Sequence, residues 1–197
     1  MPFTRRLMLA AAAALTVAAC SQTDAATGEM AMGKAGAPVT VVEYASVTCS
    51  HCASFNEQVF PAFKAKYVDT GQVRYVFREF LTPPEQVAAA GFLVARCAGP
   101  TKYFSVVDSI FKSQEEMFRT QDWRGTLLRV AQSAGMTEQQ FEACVSNQEE
   151  LKAIQGRVDA GIKAGVTATP TFLINGKKLE GEQTLAALDA AISSAKK

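Results

Sequence analysis

The sequence predicts an α/β fold in which one sheet is built from both ends of the chain and an all-helical block lies between. Three observations predict it. Residues 37–46, APVTVVEYAS, are apolar and β-branched on both faces, as a central strand requires. From residue 83 to residue 165 the apolar spacing is helical throughout. Strand signals then return at residues 169–176, TPTFLING, and a lone two-stranded hairpin is not stable, so the two strand regions share a sheet.

Each element follows in order. Residues 52–71 place Cys52, Phe55, Val59 and Phe63 on one helical face. Gly71 ends that helix, and Pro61 kinks it by removing a donor. Residues 72–81, QVRYVFREFL, read as a second strand. In the helical block Thr82 can cap a helix, with Pro83 and Pro84 in its first turn and Val87, Ala90, Val94 and Cys97 on one face until Gly99 and Pro100 stop it. Helices follow at residues 102–118 and 122–135. Thr137 and Gln140 then stand at capping-box spacing before Phe141, Cys144 and Val145. Residues 150–165 continue as helix, Asn175 and Gly176 turn a hairpin, and residues 182–197 form a last helix. No internal repeat is present.

The chain has 197 residues, 48% hydrophobic, enough for one domain with a sizeable core and an inserted subdomain. A formal charge of +1 without a basic block excludes nucleic acid as an expected partner. Residues 1–19 have Arg5 and Arg6, an apolar middle and small residues at the end, the pattern of a secretory signal peptide. Val17 to Cys20, VAAC, resembles the lipobox of bacterial lipoproteins, which implies lipidation of Cys20. The rival is plain cleavage near Ala19. TRRLML loosely resembles a twin-arginine export signal. Losing residues 1–19 removes two arginines and no acid, so the mature charge becomes −1. Residues 20–36 are small, polar and aperiodic, and read as a flexible tether.

The chemistry centres on residues 44–55, YASVTCSHCASF. Cys49 and Cys52 flank His51, the only histidine. Cys49 falls where strand becomes helix, and free N–H groups there favour a thiolate. A stabilised thiolate is a good leaving group, so a Cys49–Cys52 disulfide would be oxidising. Cys52, one turn on, faces the core, and His51 can lend Cys49 a charge or a hydrogen bond. A zinc or copper site lacks a second ligand pair, and a purely structural disulfide would close too short a loop to constrain the chain. No cofactor-binding motif is read. With Cys20 assigned to the anchor, Cys97 is left for Cys144. In an oxidising compartment the two are expected to form a structural disulfide in the core of the helical block, resistant to mild reductants. Two buried free cysteines are the alternative.

VVEYASVTCSHC together with GVTATPTFLING resembles the thioredoxin-fold disulfide oxidoreductases of the bacterial periplasm, the DsbA-like proteins. The resemblance runs from Ala37 to Lys197. It implies a thioredoxin-like domain over residues 37–82 and 166–197, with residues 83–165 as the inserted helical subdomain. It implies that Pro170 is a cis-proline beside the disulfide, with Thr169 before it, and that extended substrates dock along this edge. It also implies that Glu43 is a buried acid relaying a proton to Cys52. A strand-edge glutamate paired with a lysine is the alternative for Glu43, and an ordinary strand-opening proline for Pro170. Ser50 departs from the proline of DsbA itself, and a threonine before the cis-proline also occurs in the related isomerases and reductases.

The expected activity is therefore a periplasmic, membrane-tethered, monomeric thiol:disulfide oxidoreductase acting on reduced or misoxidised exported proteins and reset by a membrane redox partner. A disulfide isomerase or reductase, and a thiol-based copper or zinc carrier, are the alternatives.

Overall fold

The computed structural model describes residues 28–196. Strands β1 (Met30–Met32), β2 (Val39–Ala45), β3 (Val73–Glu79), β4 (Thr171–Ile174) and β5 (Lys177–Glu180) form one sheet in the order β1-β3-β2-β4-β5. Only β2 and β3 run parallel; the other neighbours are antiparallel. β2 is central, which is why it is apolar on both faces. Asn175 (φ 46°) and Gly176 (φ 86°) turn the β4–β5 hairpin with both residues left-handed, as a type I′ turn demands.

Residues 30–32 correct the tether expected over residues 20–36. They pair with Tyr75–Phe77 of β3 as a sheet edge. Three residues are too few for alternation to be read in sequence. The expected signal peptide and Cys20 lie outside the described residues.

The helix after Cys49 is kinked before Pro61, as expected. α1 (Ser50–Gln58) stops at Val59, α2 (Phe60–Phe63) restarts with Pro61 in its first turn, and Lys64–Val68 form a π-turn. Cys52, Phe55 and Phe63 nevertheless stay buried on the sheet.

Between β3 and β4 stand α3 (Glu85–Cys97), α4 (Tyr103–Lys112), α5 (Gln114–Thr120), α6 (Trp123–Ser133), α7 (Glu138–Val145) and α8 (Gln148–Lys163). α9 (Leu185–Ala195) closes the described chain and packs on β4. The arrangement is a thioredoxin-like α/β fold carrying a helical insertion. Thr137 and Gln140 make the capping box in full.

Two contacts seat the insertion on the sheet. The buried carboxylate of Glu79, at the end of β3, accepts from Arg96 Nε (2.6 Å), Arg157 Nε (2.8 Å) and Tyr103 Oη (3.1 Å), so α3, α8 and α4 converge on one strand end. A buried carboxylate needs such partners to offset its desolvation. Gly161 lets α8 cross β2 closely: a Cβ there would stand 2.9 Å from the Tyr44 ring.

Candidate active site

Cys49 is the N-cap of α1, with extended backbone (φ −89°, ψ 119°), and its sulfur accepts from Cys52 N–H at 3.3 Å. The turn that delivers it closes through Cys49 N–H to Ser46 O at 3.0 Å. Thr48 Oγ1 donates to the Thr82 carbonyl at 2.8 Å, and Thr82 N–H donates to Ser46 Oγ at 3.2 Å. Thr82 therefore braces this turn instead of capping a helix; α3 begins two residues later than the sequence suggests, with Pro84 at its N-cap and the Pro83–Pro84 bond cis. From the insertion, the buried Gln114 side chain donates to the carbonyls of Val47 (2.9 Å) and Cys49 (3.2 Å).

Cys49 and Cys52 are free thiols in unlike surroundings. A hydrogen bond from the Cys52 thiol lowers the Cys49 pKa most. Partial burial opposes it, the Thr169 hydroxyl and the N–H groups of Cys52 and His51 add to it, and the result is about 6, against an ordinary 9.0. Cys52 is fully buried, and burial, reinforced by Cys49 and Glu43, pushes its pKa well above the ordinary value. The two thiols thus divide into an accessible thiolate and an inner thiol that holds its proton.

Glu43 is buried in β2, and Tyr75 Oη donates to its Oε2 at 2.5 Å across the strand pair. Burial raises its pKa to about 8; the Tyr75 bond opposes the rise, and the Cys49 charge adds to it. Its partner is a tyrosine, not a lysine. The Thr169–Pro170 bond is cis, and Thr169 O lies 3.4 Å from Cys49 Sγ. The Pro170 carbonyl is already taken by Gly181 N–H at 2.9 Å.

The structure thus brings Glu43, Cys49, Cys52, Thr169 and Pro170 together. His51 stands among them, but its imidazole departs from the expectation. It is 72% exposed and its Nδ1 lies 3.2 Å from Glu182 Oε2, while Cys49 receives only the His51 backbone N–H. Cys97 and Cys144 are disulfide-bonded across 47 residues with Cα atoms 6.2 Å apart. Only Cys144 is buried; Cys97, the last residue of α3, is exposed. The bond therefore does not lie in the core as expected, because the apolar stripe of α3 leaves the core at its final turn.

A model of the thioredoxin family, described as "Thioredoxin", matches residues 25–194. The chain belongs to the thioredoxin family. Within it the chain is DsbA-like. It superposes on alpha-DsbA1 of Wolbachia pipientis with a TM-score of 0.78 at 27% identity, covering 85% of this chain and 90% of that one. A chain of Rickettsia bellii provisionally named a protein-disulfide oxidoreductase is 32% identical, over 85% of this chain and 66% of the relative. Disulfide bond formation protein D of Bacillus subtilis is 29% identical, over 78% and 70%. This thioredoxin-family chain spans 56–66% of the length of the Rickettsia relatives it matches.

Gln114, Tyr75 and Glu182 escaped sequence reading. None belongs to a motif, and each reaches the site only through the register of β3, the docking of α5 or the loop after β5. The contribution of the Thr169 hydroxyl can be tested directly. Thr169→Val keeps the shape and removes the donor, so the Cys49 pKa is expected to rise, its acid constant falling about three- to tenfold. Titration of thiolate absorbance checks it, and an unchanged pKa would show that the hydroxyl does not reach the sulfur.

Proposed function

We propose that this chain is an exported thiol:disulfide oxidoreductase that transfers a Cys49–Cys52 disulfide to protein thiols. One observation carries the reading: an accessible sulfur held as thiolate at a helix N-cap, paired with a buried thiol that retains its proton, beside a buried acid of pKa about 8. A substrate thiolate attacks the Cys49 sulfur, the Cys49–Cys52 bond breaks, and Cys52 leaves with the electron pair. Because the Cys52 thiolate is poorly tolerated, Glu43, protonated at neutral pH, gives it a proton. A second substrate thiolate then attacks the substrate sulfur of the mixed disulfide, and Cys49 leaves as a stable thiolate. The substrate loses two electrons and the pair gains them. A membrane-bound disulfide partner would take them up again.

Several features extend the proposal. The signal peptide of residues 1–19 supports periplasmic export, and VAAC supports a lipid anchor on Cys20. The substrates would be reduced or misoxidised exported proteins, meeting the monomer as extended segments along Thr169 and Pro170. The thioredoxin-like and inserted-domain limits read from sequence and the structural role of Cys97 and Cys144 complete this reading. Ser50 and Thr169 favour disulfide isomerase or reductase as the second reading. A copper or zinc carrier is weaker, since no group of three or more metal-ligating side chains occurs among the described residues.

The test is equilibration of the pair with glutathione, followed by oxidation of a reduced, unfolded protein. Wild type should do both, and Cys49→Ser should do neither. A pair as reducing as thioredoxin would turn the reading toward a reductase.

Stability gives an independent check. The Cys49 pKa is depressed on folding, so the gain is complete above the unfolded value near 9.0 and is lost as pH falls through about 6. At pH 7 the reduced protein should exceed the oxidised one by on the order of 1 kcal/mol, and the margin should vanish by pH 5. Denaturant melts of both forms measure it; a more stable disulfide form at pH 8 would contradict the thiolate assignment.

A further inference from the structure

Glu182 stands 131 residues from His51 in sequence and meets it across the mouth of the site. Its Oε1 accepts from Ser54 Oγ at 2.6 Å, and its Oε2 lies 3.2 Å from His51 Nδ1. Both partners belong to the first turns of α1, the helix that Cys49 caps. The loop carrying Glu182 is itself braced. Gly181 N–H donates to the Pro170 carbonyl at 2.9 Å, and Gln183 Nε2 donates to the carbonyls of Glu180 and Gly181 at 3.0 Å each. One loop therefore grips the cis-proline edge with its backbone and the cysteine-bearing helix with one carboxylate.

His51 is one residue from Cys52 and two from Cys49, and an imidazole there has two destinations. It can turn to the Cys49 sulfur, where an N–H of either tautomer would stabilise the thiolate, or to the carboxylate. Ser54 decides between them. Its hydroxyl fixes the carboxylate from one side, which leaves Oε2 aimed at the imidazole. We infer that Glu182 is a positioning residue that holds the His51 imidazole off the Cys49 sulfur and so limits how strongly the Cys49–Cys52 pair oxidises. The inference rests on the reading of Cys49 as the reactive sulfur of a redox couple.

Five proteins test it: wild type, His51→Ala, Glu182→Ala, Glu182→Gln and the double variant of His51→Ala with Glu182→Ala. The readouts are Cys49 thiolate absorbance against pH and the equilibrium constant with glutathione. Glu182→Ala releases the imidazole to the Cys49 sulfur, so the pair should become about three- to tenfold more oxidising. His51→Ala alone should change the constant by less than about twofold, because the imidazole is already engaged elsewhere. In the Glu182→Ala background the same substitution should undo most of the gain. Glu182→Gln keeps its amide oxygen for Ser54 and turns its NH2 to the lone pair of His51 Nδ1, so it should stay near wild type, which separates orientation from charge.

A large effect of His51→Ala in the wild-type background would overturn the inference. So would additive single effects, or a Glu182→Gln protein that behaves like Glu182→Ala. A purely structural role for Glu182 would shift stability without any His51-dependent change in the constant, and that result also overturns it. If the wild-type pair does not equilibrate with glutathione at all, the redox reading fails instead. The thiolate titration still reports the coupling between Glu182 and His51 in that case.

Discussion

Glu43→Gln is expected to give a protein that is both slower and more stable. The amide keeps an acceptor for the Tyr75 hydroxyl and loses the proton that Cys52 needs when it leaves. Formation of the mixed disulfide with a substrate thiol should slow by about 100-fold at neutral pH, the usual scale for a removed general acid. Stability moves the other way. The folded pKa of about 8 lies above the unfolded 4.5, so the folded state binds the extra proton between these values and wild-type stability falls as pH rises through them. The variant has nothing to ionise and escapes that loss. By pH 8 it should exceed wild type by on the order of 3 kcal/mol, and the two should coincide near pH 4. Stopped-flow thiol exchange and denaturant melts at both pH values measure the two halves. A variant with wild-type rates would remove Glu43 from the proton path. One that gains nothing at pH 8 would mean that the carboxyl ionises freely in the folded protein.

Replacing Cys97 and Cys144 together by alanine should destabilise the oxidised protein by about 4 kcal/mol. The bond closes a 47-residue loop, and its loss returns that loop's entropy to the unfolded chain. The same change should leave the glutathione equilibrium of Cys49 and Cys52 unaltered, because neither residue touches that pair. Thermal or denaturant melts give the first quantity and redox titration the second. Attack by an external thiol should come at the sulfur of Cys97, the exposed partner, freeing Cys144, which alkylation and mass spectrometry would resolve site by site. A stability loss under about 1 kcal/mol would show that the insertion is held by packing and by the Glu79 cluster instead.

Much of the fold was legible because burial writes itself into local pattern. β2 is apolar on both faces because it is the central strand, and the hairpin turn is spelled by Asn175 and Gly176, whose left-handed backbone few other residues tolerate. Thr137 and Gln140 cap α7 by contacts three residues apart, so the motif and the structure are nearly the same statement. β1 was not legible. It has three residues, and an edge strand acquires its meaning only from the partner that it pairs with. Thr82 was misread for a related reason: its propensity suits a helix cap, but a tertiary partner, the turn before Cys49, claims it.

The sequence by itself determined where the candidate redox pair lies. Two thiols around one histidine, at a strand-to-helix junction, specify a helix-terminal thiolate and an inner thiol, since both the spacing and the capping geometry are local. Tertiary structure alone decided how that centre is tuned. Gln114 grips the Cys49 carbonyl, Tyr75 holds Glu43, and Glu182 takes the imidazole that the sequence assigned to Cys49. The physical reason is range. Periodicity and capping act over one or two turns of chain, whereas these hydrogen bonds join residues 32, 65 and 131 positions apart, and their existence depends on how the helices and loops pack around one sheet.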